Sequence, residues 1–274
     1  MDKNILSRLH KDENEIFTTI INHEISYPFQ GNESCYQIEE NSYWFKHRNN
    51  FLITIIKKFS RSNNFYDIGG GNGFVTKGLQ DAGFNAMLIE PGYQGCKNAK
   101  KRDVQTVVCS LIEDVGFTSE SLDSIGLFDV LEHIEKDENF LRLVANLMKK
   151  DSFIYITVPS YQFLWSADDT DGGHYKRYTY KQMKQVLEKA GFTPIYSSYL
   201  FSILVLTIFL LRTIPSRLGL IKNISDPKKQ KREFESKEGI LGSILNFVFR
   251  FENKLLFEGR RIPFGSSLLF VAKK

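Results

Sequence analysis

Cysteine is scarce in this chain of 274 residues. Cys35, Cys96 and Cys109 are the whole set, and no two stand in a CxxC pair. Neither a disulfide framework nor a structural zinc site is expected. A strong charge of one sign is also missing. The 36 Lys/Arg and 32 Asp/Glu leave a net charge of +4, too little for a nucleic-acid partner unless it is concentrated. The stretch from Met1 to Ile20 holds several acids and no apolar run, so no secretory signal is expected and the default location is the cytoplasm. No internal repeat or low-complexity tract occurs. The one long charge-free stretch runs from Phe192 to Leu211.

The remaining composition is globular, 42% apolar and 25% charged. The length suits one large domain or a medium domain with an elaboration. The 23 Phe, 12 Tyr and 2 Trp can fill a core and still leave rings for a pocket or a lipid surface.

Residues 1–60 read as a helical cap interrupted at Pro28, Gly31 and Asn32. Tyr43, Trp44, Phe51, Ile55 and Phe59 then recur at helical spacing. From Asn64 strands and helices alternate. Strands are predicted at 65–68, 85–90, 104–109, 122–127, 153–158, 192–196 and 268–272, and helices at 74–82, 138–149 and 179–190. Strands separated by helices imply an α/β, doubly wound, seven-stranded and mostly parallel sheet. The core is assigned to residues 61–198 and 260–274. Residues 199–259 are too long for a simple connection and are read as a hydrophobic and basic helical insertion.

The first strand runs into Asp67-Ile68-Gly69-Gly70-Gly71-Asn72-Gly73. Glycines there let the backbone approach a ligand at the carboxyl edge of the sheet. The dinucleotide pattern GxGxxG would need glycine at position 74, which is Phe74, and the P-loop ending Gly-Lys-Ser/Thr is absent. The pattern here is GxGxG preceded by Asp67, whose acid suits an amine-bearing or cationic ligand. Glu90 ends the second strand, one helix beyond Gly73, where a carboxylate can accept both hydroxyls of a ribose.

These segments, DIGGGNGF (67–74), MLIEP (87–91), CSLIEDVGF (109–117), LDSIGLFDVLEHIEKD (122–137), FIYITVPS (153–160) and HYKRYTYKQMKQVLEKAGF (174–192), resemble the class I S-adenosylmethionine-dependent methyltransferases in order and spacing. The resemblance covers about residues 40–196 and resumes near 260–273. It is strongest to the small-molecule branch, with its quinone-biosynthesis O-methyltransferases and bacterial enzymes from surface-polysaccharide loci. It implies a Rossmann-like fold, S-adenosyl-L-methionine as cofactor and methyl transfer to a small-molecule or lipid-linked acceptor, at oxygen. It implies that Asp67 holds the cofactor's amino group and that Gly69, Gly71 and Gly73 admit its methionine and sugar. Glu90 would take the ribose hydroxyls, with Pro91, Ser110 and Leu111 around adenine. Ser110 stands where the family often carries an acid. Phe128 would flank the sulfonium, and Arg48 would pair with the cofactor's carboxylate.

On the acceptor side, Glu132 and His133 follow the fourth strand. His133 is a candidate base, and Glu132 could orient it. The loop after the fifth strand offers His174 as a second base, and Trp165, Tyr175 and Tyr178 as substrate-binding rings. Tyr43 on the pre-sheet helix is a further candidate. Asp168, Asp169 and Asp171 lack the ordered oxygen spacing of a calcium loop, so no metal is expected.

The segment 200–211, LFSILVLTIFLL, is apolar on every helical face. It is too short to span a bilayer once the sixth strand takes its share. Residues 222–237 add six Lys/Arg and three acids. The insertion reads as peripheral membrane contact at the inner face, as a lid over the pocket, or as an oligomer contact. The alternative to an enzyme is a catalytically silent cofactor-binding scaffold beside membrane-bound biosynthetic enzymes. A dehydrogenase stands third, with the glycine spacing against it.

Overall fold

In the computed structural model, residues 3–19, 29–220 and 240–274 are described. The central strands are β3 (Asn64–Ile68), β4 (Asn85–Ile89), β5 (Thr106–Cys109), β6 (Leu122–Phe128) and β7 (Met148–Pro159). They pair in parallel in the order β5-β4-β3-β6-β7. Strand β9 (Ser267–Lys273) then inserts antiparallel between β7 and β8 (Thr193–Leu200). The order reverses between β3 and β6, and the crevice that opens there at the carboxyl ends is the expected ligand position.

Both faces of this sheet are covered, so its strands are apolar nearly throughout. On β7, Ile154, Ile156 and Val158 pack on one face with Leu141, Val144, Met183 and Leu187. Phe153 and Tyr155 point the other way, to Phe51, Leu52, Ile55 and Ile56. The first group belongs to helices α6 (Asp137–Leu147) and α8 (Tyr180–Lys189), and the second to α3 (Tyr43–Phe59). Ser42 starts α3 by accepting from the Trp44 and Phe45 amides.

Among the described residues the sheet has nine strands instead of the seven expected. After a single-turn helix α1 (Lys3–Leu6), two strands of two residues each, β1 (His10–Lys11) and β2 (Phe17–Thr18), extend it beyond β5. The N-terminal region is therefore not wholly helical. The expected break at Gly31 and Asn32 is also corrected, because helix α2 runs over Phe29–Glu39. Pro28 and the basic segment 222–237 lie outside the described residues.

Helix α2 is fastened to the glycine turn by a buried cluster. Arg102, at the end of α5 (Tyr93–Lys101), meets Glu39 at 2.6 Å and donates to the Asn72 carbonyl at 2.9 Å. Its guanidinium also lies 4.3 Å from the centre of the Tyr36 ring. Asn72 Nδ2 donates to Glu39 in turn. Removing one partner leaves the other charge buried and uncompensated. Arg102→Ala is therefore expected to lower stability by about 3–5 kcal/mol. Urea unfolding reads this directly, and an unchanged midpoint would contradict the clamp.

Candidate active site

The carboxyl edge of β3, β4 and β6 borders a cavity of about 800 Å³, within the range of small-molecule sites. Its floor is the glycine turn. Gly69 has φ +68°, and a Cβ there would fall 2.8 Å from Val130 Cγ2. Gly73 serves packing instead. It has φ +71°, its Cβ would lie 2.7 Å from that of Ala99, and it is not part of the cavity wall. The expected contact of Gly73 with a cofactor is thus corrected to a role in seating α4 (Phe74–Asp81) against α5.

Asp67 is fully buried. Its Oδ2 accepts from the Thr76 hydroxyl at 2.6 Å, while Oδ1 has no partner among the described residues. Burial pushes this carboxyl up to about 6, against the Thr76 hydroxyl and Arg48. Glu90 accepts from the Gly71 amide at 2.9 Å and the Gly92 amide at 2.7 Å. Burial pushes it up to about 7, against those two amides. Pro91, Ser110, Leu111 and Phe128 complete this end of the wall. The Ser110 hydroxyl donates to the Leu111 carbonyl at 2.8 Å and lies 3.0 Å from that of Thr19.

Arg48 also reaches the wall. Its Nη2 is 2.5 Å from Asp129 Oδ2, and its guanidinium lies 5.5 Å from the centre of the Trp44 ring. The partner it shows is therefore Asp129. That residue adopts φ +59° and also accepts from the Thr157 hydroxyl at 3.0 Å.

The other end holds Glu132, His133 and His174. Burial, then the Asp129 charge, pushes the Glu132 carboxyl well above its usual range, and its Oε2 has no partner among the described residues. Burial, then neighbouring His174, pushes His133 down to about 4. The two imidazoles meet edge to face with centroids 4.7 Å apart.

His174 Nδ1 lies 3.0 Å from Asp169 Oδ1. Asp169 is gripped by Arg177 through Nε at 2.7 Å and Nη2 at 2.9 Å, and is held near 2. Burial opposes that value, and the His174 and Arg177 hydrogen bonds overcome it. An ionised Asp169 assigns the proton to Nδ1, so the lone pair of His174 is on Nε2. Sequence reasoning placed His174 here but missed Asp169 and Arg177. Both partners follow Asp169 along one loop, and only the fold closes the triangle. The short helix α7 (Ala167–Asp171), with a Ser166–Asp169 capping box, presents the acid.

Three expected substrate contacts are corrected. Tyr178 is buried, its hydroxyl donating to Asp137 at 2.8 Å, so it belongs to the core beneath the site. Tyr175 points to solvent, and Trp165 donates to the Thr170 hydroxyl at 3.3 Å outside the cavity wall. Tyr43 does line the cavity, stacked on Phe249 with centroids 5.9 Å apart. Among the described residues the loop aspartates form no metal cluster, but Glu132, His133 and His174 bring ligand atoms within 4.8 Å of one another.

A parallel sheet with a glycine-rich first turn and two buried acids at its edge defines a binder of nucleoside cofactors. Residues 43–197, more than half the chain, match the family model described as a methyltransferase domain. The chain belongs to that family of S-adenosylmethionine-dependent methyltransferases. Human mitochondrial ubiquinone biosynthesis O-methyltransferase (Homo sapiens) is 29% identical over 100 residues, 33% of this chain and 27% of that protein. Its bovine counterpart (Bos taurus) is 28% identical over the same length and shares. The aligned stretch thus spans about a quarter of these relatives.

Two solved structures show the fold. A methyltransferase from Archaeoglobus fulgidus is 20% identical with a TM-score of 0.51, covering 85% of this chain and all of that one (100%). Phosphoethanolamine N-methyltransferase 2 of Haemonchus contortus, solved with S-adenosyl-L-methionine, is 17% identical with a TM-score of 0.55, covering 91% and 58%.

The lining fits the family's cofactor: Asp67 Oδ1, a buried acceptor without a partner among the described residues, would take an ammonium, and Glu90, with lone pairs left beside the Gly71 and Gly92 amides, would take ribose hydroxyls. Both acids hold protons in the free protein up to about pH 6 and 7 respectively. A ligand that needs them as carboxylates expels those protons, so affinity weakens as pH falls through this window. Calorimetry with S-adenosylhomocysteine in buffers of different ionisation heat is expected to show proton release. A pH-independent affinity would contradict the pairing.

Proposed function

We propose that the protein methylates a hydroxyl oxygen of a small, lipid-linked acceptor, a sugar or a phenol, at the cytoplasmic face of a membrane. The observation that carries this reading is His174, which stands in the wall of the cavity that holds the glycine turn and is backed by Asp169 from behind that wall. A hydroxyl acceptor must lose its proton, whereas a neutral amine offers a lone pair without help. The O-methyltransferase relatives match only a third of the chain, and they support the choice of oxygen.

S-adenosylmethionine supplies the activated methyl group, so the protein's task is alignment and proton removal. Glu90 and Asp67 accept hydrogen bonds from the cofactor's ribose and ammonium. His174 Nε2 takes the proton of the acceptor hydroxyl. Asp169 fixes the tautomer and stabilises the imidazolium, and Arg177 holds Asp169 ionised. His133, pushed down to about 4, stays neutral and is the weaker base. Glu132, whose carboxyl burial pushes well above its usual range, can donate a hydrogen bond to the acceptor when protonated.

A second reading, a divalent cation held by Glu132, His133 and His174, rests on the closeness of their ligand atoms. Incubation with methyl-labelled S-adenosylmethionine and a panel of phenols, lipid-linked sugars and their amine counterparts tests both. Label on oxygen, unaffected by chelator, supports the base. Label only on amines overturns the proposal, and chelator-sensitive turnover favours the cation.

A further inference from the structure

The insertion between β8 and β9 leaves apolar surface that the fold does not cover. A helical run of three consecutive pieces, α9 (Leu204–Ile208), a π-helical turn Phe209–Thr213, and α10 (Ile214–Arg217), follows β8. Leu206, Leu210 and Leu211 on it are 64%, 49% and 67% exposed, and Leu218 and Leu220 just beyond are 66% and 72% exposed. Five exposed leucines so close along the chain are not scattered surface hydrophobes.

The same run forms part of the cavity wall through Leu204, Thr207, Ile208, Leu211 and Arg212. Leu211 belongs to both sets. The cavity therefore reaches the surface within the leucine strip.

A second exposed stripe lies on helix α11 (Ile240–Phe257). Ile244, Phe247 and Phe251 are spaced by three and four residues, with exposed Arg250 and Lys254 beside them. Buried Glu252 accepts from the Phe201 and Ser202 amides, each at 2.9 Å, and so ties the start of the leucine run to α11. Arg217, next to exposed Leu218, is exposed as well. Apolar side chains beside basic ones complement an anionic lipid surface. No helix among the described residues is long and apolar enough to cross a membrane.

We infer that the leucine strip docks on an anionic bilayer and that a lipid-tailed acceptor enters the cavity past Leu211 without leaving the membrane. The entry route rests on the methyltransferase reading, while the docking does not. Each buried leucine adds binding, and the basic flank makes it depend on salt and lipid charge.

The test is co-sedimentation with vesicles of phosphatidylcholine alone and of phosphatidylcholine mixed with phosphatidylglycerol. The variant Leu206→Ser/Leu210→Ser/Leu218→Ser replaces three of the strip's five exposed leucines and leaves the residues of the cavity wall in place. Wild type is expected to bind the mixed vesicles more tightly, and the variant at least about 10-fold more weakly. Affinity for S-adenosylhomocysteine should be the same in both proteins, which shows that the variant folds.

Absence of wild-type binding to either vesicle overturns the proposal, as does equal binding by the variant. A wild-type dimer that the variant splits, with no vesicle binding, overturns it in favour of a contact between copies. Loss of S-adenosylhomocysteine binding by wild type would condemn the cofactor reading and leave the docking result standing.

Discussion

Replacing His174 by alanine is expected to lower turnover by about 100- to 1,000-fold, the range for losing a general base. Affinity for S-adenosylhomocysteine should barely change. The imidazole lines the cavity beside Glu132 and His133, away from Asp67 and Glu90, the anchors proposed for the cofactor. The dyad adds a sharper signature. Asp169→Asn keeps the shape of the loop but removes the charge that fixes the tautomer. Turnover should fall by a similar factor, and the acidic limb of the pH–rate profile should shift in both variants. Equal losses of turnover and cofactor affinity would assign His174 a structural role instead.

Glu90→Ala is expected to weaken S-adenosylhomocysteine binding at least about 10-fold, because each lost hydrogen bond to a charged acceptor contributes about 1.5–3 kcal/mol. The effect has two sources. The ribose hydroxyls would lose their proposed acceptor, and the Gly71 and Gly92 amides lose the carboxylate that ties the glycine turn to the loop after β4. Glu90→Gln separates them. It keeps the bulk and one accepting oxygen, so the loss is smaller, and the pH dependence near 7 should vanish with the titrating group. Unchanged affinity in Glu90→Ala would remove the ribose assignment.

The glycine-turn end of the cavity was legible because it is local. Asp67, Gly69 and Gly71 sit on one turn, and Glu90 ends the adjacent parallel strand, so strand alternation and one crossover place them together. The mostly parallel strands and the covered faces followed from apolar runs of the right length. The acceptor half depends on a loop folding back. Nothing in the spacing says whether Trp165, Tyr175 or Tyr178 faces the cavity, and burial under Asp137 took Tyr178 away from it. The same loop hid the Asp169–Arg177 pair.

Strands β1 and β2 are too short to show any period. Helix α2 overrides a glycine that reads as a break, since tertiary fastening through Glu39 and Arg102 outweighs weak helix propensity. The apolar run after β8 was visible in the sequence, but its sharing of Leu211 between surface and cavity was not.

The most direct test of the central claim is calorimetric titration of the wild-type protein with S-adenosylhomocysteine and, in parallel, with NAD. The account predicts micromolar binding of S-adenosylhomocysteine, tighter as pH rises through 6 to 7, and no binding of NAD. Binding of NAD alone, or of neither compound, would contradict it.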